Sequence, residues 1–125
     1  MDNGQLLDQL STVLESLQAA NNSLRNEAEK HYEAELQRQP ATVAVLLVKL
    51  LSDTGRKPNI REQAAVLLRR ALAQTETGSD AGLVWTQLGA SGQGDVQVAL
   101  LQCFEVESIG PIRRKVADVI QAVAN

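Results

Sequence analysis

Aromatic side chains are scarce in this sequence, which has one Trp, one Tyr and one Phe among its 125 residues. A hydrophobic core must therefore be built from Leu, Val, Ile and Ala, a composition that suits packed helices. Cys103 is the only cysteine, so an intrachain disulfide is excluded and a reducing compartment is indicated. We expect Cys103 to be a small apolar residue of the core.

Basic residues are not in excess, since the formal net charge is −3 and no Lys/Arg cluster is interleaved with aromatic residues. This composition lacks the footprint of a nucleic-acid-binding protein. No apolar run approaches the ~18 residues needed to cross a bilayer. The first residues, which include Asp2 and Asp8, lack a secretory signal pattern. We expect a soluble intracellular protein that binds neither nucleic acid nor membrane.

Residue patterns that would indicate catalysis or metal binding are also missing. His31 is the only histidine, and no cysteine lies near it to complete a metal site. The sequence pairs no nucleophile with a base and has no Gly-rich loop between a strand and a helix. Four carboxylates fall close together but spread around a helix instead of converging: Glu27, Glu29, Glu33 and Glu35. We expect no catalytic residues, no metal and no cofactor.

What the sequence does contain is a short phrase that occurs three times. The copies are Leu24-Arg25-x-x-Ala28, Ile60-Arg61-x-x-Ala64 and Ile112-Arg113-x-x-Val116. Each copy opens a stretch with helical periodicity, and a leucine-rich helical run precedes each one. Every unit is therefore a pair of helices, which we name A and B. Such pairs bury their apolar faces by stacking on their neighbours, so the sequence predicts an all-α solenoid that serves as a binding scaffold.

Turn residues set the expected limits of the helices and repeats. The A helices are predicted at about 4–18, 41–52 and 93–107, and the B helices at about 23–38, 59–74 and 111–124. The three repeats then cover about 4–39, 41–74 and 93–125. Asn21, Asn22 and Ser23 supply capping side chains, and Pro40 ends the first B helix.

The interval between the second and third copies is longer than the first, at 52 residues against 36. Its Gly, Ser and Thr content predicts a long loop over about 75–92, with a short helical turn near 81–88. We expect Trp85 and Leu88 to attach this loop to the repeats, although Trp85 could instead bind a partner. The last helix has more apolar surface than one neighbour would cover, so we expect a fragment of a longer solenoid, with Asn125 a point of truncation or of continuation.

These residues resemble a known family, the N-terminal HEAT repeats of the beta-karyopherins or importin-beta proteins. Residues 61–72, REQAAVLLRRAL, are similar to the "RQxAAxLLRR" B helix of that domain. Residues 28–33, AEKHYE, resemble its "AExxxE" opening, and residues 112–118, IRRKVAD, resemble the "RRKVxD" of the third repeat. The combination is most similar to the importin-beta-three or importin-five class. One departure is Trp85, which comes later than the bulky apolar residue that often follows the "LLRR" helix.

The resemblance implies three HEAT repeats of antiparallel A and B helices in a right-handed superhelical stack. It also implies a nuclear transport receptor that binds the GTP form of the small GTPase Ran. Cargo proteins and nucleoporins would bind through later repeats, and the protein would work in the cytoplasm, in the nucleus and at the nuclear pore. The alternative is a HEAT scaffold or adaptor for other protein partners, because a repeat architecture does not determine the partner.

The family contacts Ran chiefly through B helices that line the concave surface, and helical geometry indicates which side chains face that side. The candidate Ran-binding residues are Lys30, Glu33, Glu62, Arg69, Arg70, Arg114, Asp118 and Gln121. Arg69 and Arg70 are the strongest candidates, since adjacent guanidinium groups are effective interface donors. The alternative for each residue is a solvated helix face.

The arginines of the repeated phrase have a different interpretation. Arg25, Arg61 and Arg113 recur at one structural position in each unit. Recurrence favours a scaffold role, in which each arginine links its B helix to the preceding turn, over contact with a ligand.

Overall fold

A computed structural model describes the backbone of residues 3–73 and 80–123, and the side chains of residues 4–73 and 84–123. Within these ranges the structure has six helices: α1 Asn3–Leu17, α2 Asn22–Arg38, α3 Pro40–Ser52, α4 Pro58–Leu72, α5 Asp80–Val106 and α6 Gly110–Val123. No strand occurs in the described ranges, so the predicted all-α class is confirmed. Within those ranges, no helix has the length and apolarity that crossing a membrane requires.

The helices pack as pairs along the chain, because each short connection returns the second helix against the first. Helices α1 and α2, α3 and α4, and α5 and α6 are in contact within their pairs, and α3 also touches α1, α2 and α5. The second A helix, α3, lies between its neighbours, since it contacts four other helices. Its sides are accordingly apolar, with Val43, Leu47, Leu50 and Leu51 fully or almost fully buried.

Local chemistry explains where the helices begin. Asn21 caps α2, because its side-chain oxygen accepts hydrogen bonds from the backbone N–H groups of Ser23 at 2.8 Å and Leu24 at 3.2 Å. Pro40 begins α3 and Pro58 begins α4. Proline fits this first helical position because the N–H that it lacks would have no partner there.

The short helical turn predicted near 81–88 is confirmed, and residues 74–79 lie outside the described part of the chain. The loop predicted over 75–92 is wrong in its extent, since the helix resumes directly after Gly89 and includes residues 90–92. Helix α5 begins at Asp80 and runs to Val106, with one break at Gly89, where φ is 69° and ψ is 171°. Val84 is buried, and Trp85 and Leu88 pack against the core. This burial stabilises helix despite the weak helix propensity of the Gly- and Ser-rich sequence. The expectation that Trp85 and Leu88 attach this segment to the repeats is confirmed.

The core is continuous through the stack and almost wholly aliphatic. In α4 one helical face is buried, and it comprises Ile60, Ala64, Leu67, Leu68, Ala71 and Leu72. Cys103 is buried in the same cluster, so its expected role as a small apolar core residue is confirmed. Burial raises the pKa of the Cys103 thiol, because the interior disfavours the thiolate.

The three repeated arginines each donate a hydrogen bond to a main-chain carbonyl at the end of the preceding helix. The acceptors are Ala19 O at 3.3 Å for Arg25, Leu51 O at 3.0 Å for Arg61 and Phe104 O at 3.1 Å for Arg113. Carbonyls at a helix end have no partner within the helix, so each arginine satisfies one of them or its neighbour in the following turn. The predicted scaffold role is confirmed for all three.

Arg61 has a second role that the sequence pattern did not reveal. Its guanidinium forms an ion pair with Glu107, and both side chains are only 3% exposed. Glu107 lies in the connection between α5 and α6, and its carboxylate also accepts a hydrogen bond from the Ile109 backbone N–H at 3.2 Å. The pair therefore joins the second helix pair to the third through the interior.

Candidate protein-binding surface

The surface formed by the three B helices carries two grooves. The first, about 790 Å³, lies between α2 and α4, and the second, about 540 Å³, lies between α4 and α6. We call them the α2–α4 groove and the α4–α6 groove. Helix α4 borders both because it is the middle B helix, so its side chains divide between the two grooves according to their position around the helix.

The α2–α4 groove has an apolar floor and charged rims. Leu36, Leu67 and Ala71 are among the apolar residues that line it, together with the buried ring of Tyr32. Burial raises the pKa of the Tyr32 hydroxyl, and the nearby Glu33 carboxylate raises it further, so this phenol is uncharged at neutral pH. The polar lining on the α2 side comprises Asn26, Glu29, Lys30, Glu33 and Gln37, and Gln63 and Arg70 line the groove from α4.

The α4–α6 groove is smaller and mainly basic. Arg69, Arg70 and Lys115 line it, together with one carboxylate, Asp118. Its remaining lining consists of small or aliphatic residues: Ala65, Val66, Ala73 and Ala122. Within the described ranges, none of the four charged side chains forms an ion pair with another residue.

The structure brings together five of the eight residues that the sequence predicted for partner binding. Lys30 and Glu33 line the α2–α4 groove, Arg69 and Asp118 line the α4–α6 groove, and Arg70 lines both. The other three line neither groove: Glu62 is half-buried, while Arg114 and Gln121 are exposed on α6. Exposure makes these side chains available, and their contact with a partner remains a prediction.

Sequence reasoning missed Lys115, which lines the α4–α6 groove. Its spacing is the signal that could have found it, since Lys115, Asp118 and Ala122 stand three and then four residues apart on one helical face. The predicted register of α6 followed Arg114, Asp118 and Gln121 and so lay one residue away. On α4, Val66, Arg69 and Ala73 share one helical face by the same kind of spacing, and all three line the α4–α6 groove.

The described residues offer no candidate metal site. They contain no group of three or more His, Cys, Asp or Glu side chains placed to hold a metal ion. The grooves are open and lined mainly by residues from two helices, a form that suits the surface of a protein partner.

Comparison with known proteins gives a likeness in structure. No family model matches this chain, and no curated protein matches it. Among solved structures, the chain is similar to one from a study of Kap95p and RanGDP, with a TM-score of 0.79 and 18% sequence identity. That study is described as showing that Kap95p binding induces the switch loops of RanGDP to adopt the GTP-bound conformation.

The likeness covers 94% of this chain but only 14% of the matched chain. At this level of identity it shows the fold, a helical HEAT-like solenoid of the kind found in a karyopherin. The resemblance of three short motifs and the similarity of the whole backbone thus lead independently to one conclusion: this chain has the karyopherin-like HEAT fold.

Proposed function

We propose that this protein is a segment of a nuclear transport receptor that binds Ran through its B helices. The observation that carries the proposal is the backbone match across 94% of the chain to a chain from a Kap95p and Ran structure. The B-helix surface supports it, because its two grooves present charges of both signs to a protein partner. Complementary charge of this kind sets the rate and register of association more than its strength.

The finer parts of the proposal follow from the sequence resemblance. The three motifs favour the importin-five class, with cargo proteins and nucleoporins bound by further repeats. The chain spans 14% of the matched chain, so the activity of a whole receptor belongs to a longer solenoid. On this proposal the protein acts in the cytoplasm, in the nucleus and at the nuclear pore.

The proposal is tested by titrating the protein with Ran loaded with a non-hydrolysable GTP analogue and, separately, with Ran loaded with GDP. We expect the affinity for the GTP-analogue form to be higher by at least about tenfold, equivalent to about 1.4 kcal/mol. Calorimetry measures both constants. Equal affinity for the two forms, or no binding to either, would contradict the proposal and leave a HEAT scaffold for other partners.

Charge reversal identifies the surface involved. The double substitution Arg69→Glu and Arg70→Glu should weaken binding of the GTP-analogue form by about tenfold or more, because both side chains line the α4–α6 groove. The matched control is Arg38→Glu with Lys49→Glu, which changes the net charge equally at exposed positions that line neither groove. Both variants should keep the helical circular dichroism of the parent. Loss of helicity in the first variant would show that the arginine pair is structural.

A further inference from the structure

The basic side chains of this protein fall into two sets. Of its twelve Lys and Arg residues, six have a partner among the described residues: Arg25, Arg38, Arg56, Lys57, Arg61 and Arg113. The other six make no ion pair or hydrogen bond with a described residue: Lys30, Lys49, Arg69, Arg70, Arg114 and Lys115. Three of these six, Arg69, Arg70 and Lys115, line the α4–α6 groove, and Arg114 is the sequence neighbour of Lys115. The unpartnered positive charge is therefore concentrated at one place.

Helix electrostatics does not account for this concentration. Arg69 and Arg70 lie in the last turn of α4, where the helix dipole favours cations. Arg114 and Lys115 are the fifth and sixth residues of α6, beyond its first turn, so the dipole of that helix does not favour cations there. Arg69, Arg70 and Lys115 therefore line one groove with no ion-pair partner among the described residues, and an anionic partner would complement their charge.

The floor of the α4–α6 groove determines what shape of ligand fits. Ala65, Ala73 and Ala122 are small, so a ligand can approach the helix backbones closely. From Ala65 to Ala73 the groove follows α4 for about 12 Å, at 1.5 Å per helical residue. A peptide in extended form covers that length with about four residues, at about 3.3 Å each.

We propose that the α4–α6 groove binds an extended acidic segment of a protein partner, with Arg69, Arg70 and Lys115 holding its carboxylates. Arginine donates two parallel hydrogen bonds to a carboxylate, and alternate side chains of an extended peptide reach the same rim. The inference shares its surface with the proposed Ran contact, but it does not require the partner to be Ran.

Asp118 favours a peptide over a phosphate group or a nucleic acid. Its carboxylate stands among the three cations and accepts hydrogen bonds, so the occupant should offer donors as well as negative charge. A peptide offers backbone N–H groups between its carboxylates, whereas inorganic phosphate is chiefly an acceptor.

The test uses a fluorescein-labelled hexapeptide of alternating Glu and Ala, with a Lys–Ala hexapeptide as the sequence control. Fluorescence anisotropy should show binding of the Glu–Ala peptide alone, and the affinity should fall as NaCl is added. The variant Arg69→Glu with Lys115→Glu should weaken binding by at least about tenfold. Arg38→Glu with Lys49→Glu, an equal change of charge at exposed positions that line neither groove, should change it by less than about twofold.

Amide shifts of the ¹⁵N-labelled protein locate the peptide, and we expect them to move along 65–73 and 115–122. Equal weakening by both variants, binding of the Lys–Ala peptide, or displacement by inorganic phosphate at the peptide's own concentration would each overturn the inference. Ran titration of the same protein separates the two proposals. Peptide binding without Ran binding would support the groove proposal and contradict the Ran proposal. Ran binding without peptide binding would contradict the groove proposal alone.

Discussion

Arg25, Arg61 and Arg113 occupy equivalent positions in sequence but different environments in the fold. Arg113 is exposed and stacks on the Phe104 ring, with 4.4 Å between the guanidinium carbon and the ring centroid. Arg25 is half-buried, whereas Arg61 is buried and paired with Glu107. The repeated phrase predicted their shared link to the preceding turn but not this difference, because Glu107 lies 46 residues away from Arg61 in the chain and outside the phrase.

Removing Arg61 alone should destabilise the protein strongly. Arg61→Met leaves the Glu107 carboxylate buried without its cation, a change that lowers the free energy of unfolding by about 3–5 kcal/mol. Replacing both partners, with Arg61→Met and Glu107→Leu, should recover much of that loss because no buried charge remains. Urea unfolding followed by circular dichroism measures all three values. The control is Arg113→Met at the exposed equivalent position, for which we expect a loss of about 1 kcal/mol or less. A loss for Arg61→Met as small as this would refute the proposed importance of the ion pair.

Cys103 provides a chemical probe of the core. Burial and the nearby Glu107 carboxylate raise the pKa of its thiol, so both access to the reagent and the thiolate fraction are reduced in the folded protein. At pH 8 we expect a disulfide reagent such as DTNB to modify the folded protein much more slowly than the urea-unfolded chain. The folded-state stability linked to this thiol is fully present below its usual pKa of 9.0 and is lost as the pH rises through the raised value. Rapid labelling of the folded protein would show that Cys103 is not in the core.

At the scale of the element, α5 is where sequence and structure differ most. The Gly, Ser and Thr residues that follow α4 predicted a loop, because their helix propensity is low. The helical turn predicted near 81–88 and its attachment through Trp85 and Leu88 are confirmed, but the helix continues past that turn, and the Gln93 side chain donates a hydrogen bond to the Trp85 carbonyl at 2.8 Å across the break at Gly89. Such a tertiary contact depends on the neighbouring helices and is not visible in local composition.

Gly89 should be required for the direction change within α5. Its φ of 69° and ψ of 171° lie in a region that is essentially restricted to glycine. Gly89→Ala should therefore lower the free energy of unfolding by about 1–3 kcal/mol. Gly94 is the matched control: it lies in the same helix without a positive φ, and an added Cβ would meet no atom within 4 Å. Gly94→Ala should stabilise the protein by about 0.5–1 kcal/mol. Thermal unfolding distinguishes these opposite signs, and stabilisation by both substitutions would exclude the proposed strain.

At the scale of the whole molecule, helical periodicity predicted the helix pairs but not the positions of the two grooves. The apolar spacing within each helix was enough to identify the pairs and the buried face of α4, because these depend on one helix and its immediate neighbours. The grooves depend on how two B helices face each other. Arg114 and Lys115 are neighbours on α6, yet Arg114 lines no groove and Lys115 lines the α4–α6 groove. Helical periodicity alone does not determine which of the two faces the groove.

The buried ion pair between Arg61 and Glu107 has a consequence for how the stack bends. It fixes the second helix pair to the third, whereas the ion pairs from α1 toward α4 join partly exposed groups, Asp8 with Arg56 and Glu15 with Lys57. Exposed pairs of that kind contribute only about 0–1 kcal/mol, so we expect bending to concentrate between the first and second repeats. The width of the α2–α4 groove would then vary more than the width of the α4–α6 groove. On this expectation a partner would meet one groove of nearly constant width and one groove of variable width on the same surface.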